Sequence, residues 1–401
     1  MKARRHGLVN AVAGVAAATT IGVFLAGCGG SSLSSGGSGS GGDAATAATI
    51  GFLVPKSGVY APLGTDMENG FRLYLKQKGE KLGGKTITLK VVDEGAGPDT
   101  GVPAGQALAR DADVKAVAGV VNSAVALGLR DAFQEAKKPL IVANAGADAI
   151  SGERSSDYMW RTSFSNGECG ASLGKYVASQ LKGASAYLMA PDYAAGKEAV
   201  TGFEQAFKAA GGTVAGTQLT PFGTTTNFQP YLAAARNSGA KAIFAFYAGS
   251  EAVTFVKQYN ELGMSTDLPL YGSGFLTEGG VLAAQGKSAV GIMTSLNYSN
   301  QLDTATNKTF VEDYTKAYGS APTVYSVTAY DAAAVLDKAL TQGVGGDQIV
   351  AGLKAIGTID SPRGQWKFSE KHGAAQAYYL RKVVEKDGQL VNSVIGDLAK
   401  L

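Results

Sequence analysis

The chain has 401 residues, with 36 Lys or Arg, 33 Asp or Glu, and a formal net charge of +3. Three of the bases, Lys2, Arg4 and Arg5, lie at the N-terminus, and removing them leaves 33 bases against 33 acids. The rest of the chain is formally neutral, which excludes the basic surface that nucleic-acid binding requires. Because there are only 2 cysteines and 2 histidines, a disulfide framework, a His-rich zinc site and His-dependent nucleophilic catalysis are all disfavoured.

The first 27 residues have the pattern of a secretory signal. The positively charged segment Met1–Gly7 is followed by Leu8–Gly27, which is almost entirely apolar or small. This stretch ends in Leu25-Ala26-Gly27-Cys28, which resembles the bacterial lipobox, where the cysteine receives a diacylglycerol and the chain is cut before it. The resemblance predicts a signal peptide over residues 1–27 and lipidation of Cys28. The alternative is an uncleaved membrane anchor, since ~20 apolar residues can span a bilayer.

A flexible tether is predicted over residues 28–48. Residues 29–42 are all Gly or Ser except Leu33, a composition that cannot bury apolar area. A lipid on Cys28 would then hold the folded part of the chain near the extracytoplasmic face of the cell membrane. About 350 residues follow the tether, more than one hydrophobic core usually organises, so we expect two lobes.

Predicted strands and helices alternate from Thr49 to Tyr271. In the first series the strands are Thr49–Pro55, Thr86–Asp93, Ala116–Val121, Pro139–Ala143 and Tyr158–Phe164, and the helices are Leu63–Lys78, Val102–Asp111 and Ser123–Lys137. In the second series the helices are Ala171–Leu181, Gly196–Ala210, Phe228–Asn237 and Glu251–Leu262, and the strands are Ala184–Ala190, Thr213–Thr220, Lys241–Tyr247 and Leu268–Tyr271. Such alternation predicts an α/β fold with two parallel sheets and helices on both faces of each.

The C-terminal third departs from this alternation. Three helices are predicted over Asp303–Tyr318, Val327–Thr341 and Asp347–Ile356, followed by strands at Gln365–Phe368 and Ala377–Val384. If the helices return to one lobe and the strands to the other, the chain crosses between the lobes more than once.

The order of these segments resembles the type I periplasmic binding proteins, in particular the branched-chain amino-acid (Leu/Ile/Val-binding-protein-like) family of ABC-transporter receptors. The motifs that carry the resemblance are Ser57–Gly64 (SGVYAPLG), Asn69-Gly70-Phe71, Arg161-Thr162-Ser163-Phe164 and Pro191–Gly196 (PDYAAG). It extends over the whole chain after the tether. It implies two doubly wound parallel-sheet lobes, joined by three crossover hinge segments, that close on a small ligand. The implied lobes are residues 49–164 with 301–360, and 165–300 with 361–401.

Two turns of the first lobe are candidate ligand contacts, because ligands of open α/β sheets bind beyond the carboxyl ends of the strands. Asn122 and Ser123 follow a predicted strand and begin a helix, whose free N–H groups suit an anion. Ser123 could instead only cap that helix. The turn after the next strand supplies Ala145 and Asp148, and Asp148 could likewise be a helix cap.

The remaining candidates are Tyr60, Leu63, Tyr193, Ser250, Phe275 and Tyr325. The resemblance implies that Tyr193 lays an aromatic ring on the ligand from the second lobe, although it could also be a packing residue at the lobe edge. Tyr60 and Tyr325 could equally be packing residues. Arg161 is expected to have a structural role at the lobe boundary.

Gly274 departs from the pattern of family members that bind α-amino acids, which commonly place an acid near this position. A buried ammonium group without a counter-charge would be costly, so the departure counts against a zwitterionic ligand. Glu278, one turn away, could in principle replace the missing acid. We expect a small carboxylate with an aromatic or apolar body, with an amino acid as the alternative.

The sequence therefore predicts a monomeric solute-binding lipoprotein that delivers its ligand to an ABC permease. It is not expected to be an enzyme, to carry a metal or cofactor, or to bind nucleic acid. A ligand-sensing receptor subunit with the same fold is the alternative. An enzymatic cleft is a third hypothesis, disfavoured by the shortage of histidine and cysteine.

Overall fold

The computed structural model describes residues 46–58 and 60–399. The predicted signal peptide, the lipidated Cys28 and the tether as far as residue 45 lie outside the described residues. Within the described ranges, no helix is both long and apolar enough to cross a membrane.

The first sheet has six strands in the order β2-β3-β1-β4-β5-β6. They are β1 (Ala47–Val54), β2 (Lys81–Leu82), β3 (Lys85–Asp93), β4 (Val114–Gly119), β5 (Leu140–Val142) and β6 (Met159–Arg161). All neighbours pair in parallel except β2, which is antiparallel to β3 at the edge. Strands β4 and β5 are almost wholly buried, as expected for parallel strands covered by helices on both faces.

The second sheet has seven strands in the order β15-β14-β11-β10-β9-β7-β8, and β12 pairs with β13 in a separate two-stranded sheet. They are β7 (Ser185–Pro191), β8 (Thr213–Thr220), β9 (Ala242–Ala245), β10 (Leu270–Ser273), β11 (Met293–Leu296), β12 (Lys367–Phe368), β13 (Ala374–Ala375), β14 (Tyr379–Lys386) and β15 (Gln389–Asp397). Strands β7 to β11 are parallel, whereas β14 and β15 are antiparallel additions at one edge.

Helices cover both faces of each sheet. They are α1 (Ala61–Gln77), α2 (Pro98–Arg110), α3 (Ser123–Glu135), α4 (Asn166–Leu181), α5 (Ala194–Ala209), α6 (Gln229–Asn237), α7 (Gly249–Glu261), α8 (Gly280–Gln285), α9 (Ala305–Tyr318), α10 (Val324–Ala339) and α11 (Gly346–Ala355). Helix α1 buries Met67, Phe71 and Tyr74, which recur at helical spacing. It packs closely on α10 at Gly70, where an added Cβ would lie 2.0 Å from the carbonyl oxygen of Ser326.

The chain crosses between the two sheets three times: after β6, after β11 and before β14. Buried Arg363, on the third crossing, donates to the carbonyl of Thr162 on the first at 2.7 Å. It also pairs with Asp331 of α10 at 2.7 Å. These contacts bind the crossings to each other and to a helix of the first lobe. The predicted α/β class, with two sheets and three crossings, is confirmed.

The division into lobes at residues 49–164 with 301–360 and 165–300 with 361–401 remains a proposal. The segment around β12 packs on the first sheet, where Phe368 and His372 lie 4.8 Å and 3.9 Å from the ring of Trp160. Only from β14 onwards does the C-terminal part of the chain join the second sheet.

Candidate ligand-binding cleft

A cleft lies between the carboxyl ends of the two sets of parallel strands, with the first crossing at its base. It holds about 460 Å³ of space that no atom fills, part of it open to solvent. Its lining residues come from both lobes and are Tyr60, Leu63, Val121, Asn122, Ser123, Asn144, Gly146, Phe164, Asn166, Tyr193, Ala195, Phe246, Ala248, Phe275 and Tyr325.

Seven of the ten candidate contacts lie in this lining: Tyr60, Leu63, Asn122, Ser123, Tyr193, Phe275 and Tyr325. The structure does not bring Ala145, Asp148 or Ser250 to it. Ala145 is fully buried in the core of the first lobe, and Ser250 is exposed on the first turn of α7.

Asp148 is instead part of a polar network between the lobes. Its carboxylate accepts hydrogen bonds from the hydroxyl of Ser165 and, at 2.9 Å, from the N–H of Gly167 on α4. Its own N–H donates to Glu198 of α5 at 3.2 Å. The Asp148 carboxylate therefore holds the start of α4 in place, and the Asp148 side chain does not line the cleft. Arg161, predicted to be structural, donates to the carbonyl of Ala147, the residue before Asp148, at 2.7 Å.

The turn between β4 and α3 presents Ser123 to the cleft. Asn122, not Ser123, caps the helix, because its Oδ1 accepts from the N–H groups of Ala124 at 2.9 Å and Val125 at 3.3 Å. The Ser123 oxygen accepts from the N–H of Ala147 at 3.1 Å, which leaves its hydroxyl hydrogen free to donate to a ligand. The interpretation of Ser123 as only a helix cap is therefore wrong.

A buried carboxyl group that the sequence pattern does not predict lies behind this turn. Glu94 is 1% exposed and accepts from the N–H groups of Val121 at 2.8 Å and Asn122 at 2.7 Å. Burial raises the pKa of Glu94 to about 7. Asn122 occupies the first free N–H groups of the helix and Glu94 occupies the two N–H groups just before it, so Ser123 carries most of the donor capacity at this turn.

Asn144 and Gly146 form the neighbouring wall, after β5. The Nδ2 group of Asn144 faces the carbonyl of Val121, while its buried Oδ1 has no hydrogen-bond partner in the described part of the chain. A Cβ on Gly146 would lie 2.3 Å from Oδ1 of Asn166 and 2.7 Å from the ring of Phe164, so this position admits only glycine without rearrangement. An unsatisfied acceptor therefore lies in the cleft wall at Asn144, and a ligand hydroxyl or amide hydrogen that reached it would satisfy it.

Six aromatic rings form the rest of the lining: Tyr60, Phe164, Tyr193, Phe246, Phe275 and Tyr325. The ring of Phe275 lies 4.6 Å from Phe164, 5.9 Å from Phe246 and 6.3 Å from Tyr325. Tyr60 and Tyr193, from opposite lobes, interact through their hydroxyl groups, and burial raises the pKa of Tyr60 to about 12, so it is neutral at physiological pH. Flat apolar faces with a few hydroxyl tips suit a planar, mostly apolar ligand.

Among the residues that the structure describes, no Asp, Glu, Lys, Arg or His lines the cleft. Glu278, the predicted substitute for an acid at Gly274, is 6% exposed and its carboxylate accepts from Arg381 at 2.8 Å and from the N–H of Val324 at 2.8 Å. Both carboxylate oxygens are therefore engaged. The idea that Glu278 replaces the missing acid is wrong.

Gly274 itself has no room for a side chain. An added Cβ would lie 2.5 Å from the guanidinium of Arg381 and 2.5 Å from Cβ of Leu296. The guanidinium thus occupies the space that an acid at this position would need.

Neither a reactive thiol nor a metal-binding cluster is found among the described residues. The thiol of Cys169 is fully buried, and burial raises its pKa far above the usual range. Across residues 46–58 and 60–399, no group of three or more His, Cys, Asp or Glu side chains is arranged to hold a metal ion.

Two doubly wound α/β lobes that enclose a cleft and are joined by three crossings define the fold of a type I periplasmic binding protein. Residues 47–389 match the family described as periplasmic binding protein. The chain belongs to this family, in the branched-chain amino-acid group of ABC-transporter substrate-binding proteins.

Similar proteins include both benzoate-binding and Leu/Ile/Val-type members. A solute-binding protein of an ABC transporter from R. palustris, solved with benzoate, is 35% identical, with 88% of this chain and 96% of that chain covered and a TM-score of 0.80. Another from Rhodopseudomonas palustris BisB5, solved with 3,4-dihydroxybenzoic acid, is 30% identical, with coverages of 88% and 97% and a TM-score of 0.82. The Leu/Ile/Val-binding protein homolog 6 of Brucella melitensis is 29% identical, with 84% of this chain and 88% of the relative covered.

Proposed function

We propose that this chain is an extracytoplasmic solute-binding lipoprotein of an ABC importer, and that it binds a small aromatic or apolar carboxylic acid between its lobes. The observation that carries the proposal is the composition of the cleft: six aromatic rings, a few neutral polar groups and no charged side chain in the described part of the chain. The fold and the membership in a family of ABC-transporter substrate-binding proteins support the role in import.

The neutral cleft favours an aromatic acid over an amino acid. An α-amino acid would place its ammonium group among aromatic rings and amides with no carboxylate to pair with, which costs several kcal/mol. A monocarboxylate avoids this cost, because one end accepts hydrogen bonds while the other is apolar. The benzoate and dihydroxybenzoate ligands of the two R. palustris relatives support the same choice.

In the proposed complex the ligand carboxylate accepts a hydrogen bond from the hydroxyl of Ser123, near the N-terminus of α3. The ligand ring packs between Phe275 at the base and Tyr193 from the second lobe. No group in this arrangement is placed as a nucleophile or as a general acid–base catalyst, so the cleft binds its ligand without changing it. Contacts to both lobes stabilise the closed form by the ligand's differential affinity for it.

Tyr193→Ala tests the site. We expect it to weaken benzoate binding at least several-fold, because it removes one wall of the cleft, while the melting temperature without ligand stays nearly unchanged. Thermal-shift titration of wild type and variant measures both quantities. A collapse of the unliganded melting temperature would show that Tyr193 is a structural residue.

Import is tested by uptake of radiolabelled benzoate into cells that have or lack the gene. Loss of uptake, restored by the intact gene and not by a Tyr193→Ala copy, is the expected result. Unchanged uptake, with a changed transcriptional response to benzoate, would favour a sensory receptor instead.

The proposed anchor is a lipid on Cys28, after removal of residues 1–27. We expect metabolic labelling with a radioactive fatty acid to mark the intact chain at the cell membrane, and Cys28→Ala to lose both the label and the membrane fraction. Membrane association without label would favour the uncleaved anchor.

A further inference from the structure

We propose that Phe222 is a positioning residue: it holds the ring of Tyr193 in place as a preformed wall of the cleft. The inference rests on the proposed function, because it concerns how the same cleft binds its ligand. Phe222 is not itself part of the lining, and no sequence motif singled it out.

Phe222 is unusual in its exposure. It is 37% exposed, and of the large hydrophobic side chains in the described residues only Val290 and Ile395 join it as exposed. Its ring lies parallel to that of Tyr193, with centroids 4.1 Å apart and an angle of 17° between the planes. An exposed phenylalanine thus stacks on a residue of the cleft without lining the cleft itself.

The backbone around Phe222 is fixed rather than free. On one side, the carbonyl of Thr220 accepts from the N–H of Asp192 at 2.7 Å. On the other, the N–H of Gly223 donates to the buried carboxylate of Glu251 at 2.9 Å, and Gln258 donates to the carbonyl of Thr226 at 3.0 Å. The bond from Asp192 to Thr220 therefore joins the segment that carries Phe222 to the residue before Tyr193.

Tyr193 has two aromatic neighbours on the second lobe, of which Phe222 is the nearer, and its hydroxyl group interacts with Tyr60 of the first lobe. Tyr193 precedes α5 in extended backbone, and its side chain makes no capping hydrogen bond to the helix. Phe246, its other aromatic neighbour, is 6.3 Å away and tilted by 50°. If the parallel stack were lost, the side chain of Tyr193 would populate more rotamers. Ligand binding would then have to fix one of them, at an entropic cost that weakens the affinity.

The test compares Phe222→Ala, Phe222→Tyr and a control, Ile395→Ala, which removes a similarly exposed side chain from β15. Benzoate affinity is measured by calorimetry on the full chain. We expect Phe222→Ala to bind roughly 2- to 12-fold more weakly, as for the loss of one aromatic pair. Phe222→Tyr should bind within about 2-fold of wild type, Ile395→Ala like wild type, and all three should keep the unliganded melting temperature within a few degrees.

A second readout needs no ligand. In protein labelled with 3-fluorotyrosine, the ¹⁹F resonance of Tyr193, assigned with Tyr193→Phe, should shift and narrow towards that of a mobile exposed tyrosine in Phe222→Ala only. An unchanged resonance overturns the proposal, even where affinity falls, because Phe222 would then act on the ligand directly. If wild type bound no aromatic acid, the proposed function would fail, while the resonance would still decide whether Phe222 positions Tyr193.

Discussion

The guanidinium of Arg381 lies 2.8 Å from the carboxylate of Glu278, and both groups are buried. Arg381 also donates to the carbonyl of Gly274 at 3.0 Å, while Glu278 accepts from the N–H of Val324, the first residue of α10. One ion pair of the second lobe thereby occupies the space beside Gly274 and contacts a helix of the first lobe. The cleft has no free charge at this position because the two charges neutralise each other behind it.

We expect Arg381→Met to destabilise the protein by about 3–5 kcal/mol, because it leaves the carboxylate of Glu278 buried without its partner. The double variant Glu278→Leu/Arg381→Met should lose less than the single one. Urea unfolding measures both. Lys308→Met, which breaks a solvent-exposed pair with Asp303, is the control and should change nothing measurable. A single variant as stable as wild type would mean that the pair is not coupled as described.

Gly146→Ala should weaken ligand binding, because the new methyl group would collide with Asn166 and Phe164 in the cleft wall. Overpacking of this kind costs about 1–3 kcal/mol in stability as well. Gly357→Ala is the matched control, since an added Cβ there meets nothing within 4 Å. Thermal unfolding with and without benzoate measures both effects. Equal behaviour of the two variants would show that the wall at Gly146 can yield.

Asn144→Leu should separate ligands that carry a hydrogen-bond donor from those that do not. The buried Oδ1 of Asn144 has no partner within the described residues, so a ligand hydroxyl that reaches it gains a hydrogen bond worth roughly 0.5–1.5 kcal/mol. We expect the variant to lose about 2- to 12-fold in affinity for one of the hydroxybenzoates relative to benzoate. Equal losses for benzoate and for the 3- and 4-hydroxy acids would contradict this role.

Glu94 should make stability depend on pH. Its pKa is raised from 4.5 to about 7 in the folded chain, so between these values the folded state holds a proton that the unfolded state has released. The free energy of unfolding therefore falls as pH rises from about 4.5 to 7, by about 3 kcal/mol from this group. The difference between wild type and Glu94→Gln in urea titrations across this range isolates it from Asp66, whose pKa is also raised. Parallel pH profiles would show that Glu94 does not titrate there.

The fold was largely predictable because it is encoded in local patterns. Apolar runs of four to eight residues and amphipathic segments between them predict most strands and helices of both sheets. The apolar pattern does not predict strand β11, since its sequence, Met-Thr-Ser-Leu, is short and half polar. Its burial comes from its neighbours β10 and β14, which the sequence of the strand itself does not encode.

The site was predictable only in part, for a related reason. Tyr193 and Ser123 follow strands at the carboxyl edge, so topology places them in the cleft. Phe246 could have been found in the same way, because it follows the last residue of β9. The engagement of Glu278 by Arg381 could not, because the partners are 103 residues apart and meet only through the antiparallel addition of β14.

Calorimetric titration of the purified chain with benzoate and, separately, with leucine tests the central claim most directly. A neutral, aromatic cleft predicts measurable binding of benzoate and none of leucine at the same concentrations. At 100 times its Kd, benzoate should also stabilise the fold by about 2.7 kcal/mol. Tight binding of leucine with no heat from benzoate would contradict the account, since the cleft would then have to satisfy an ammonium group without a free acid.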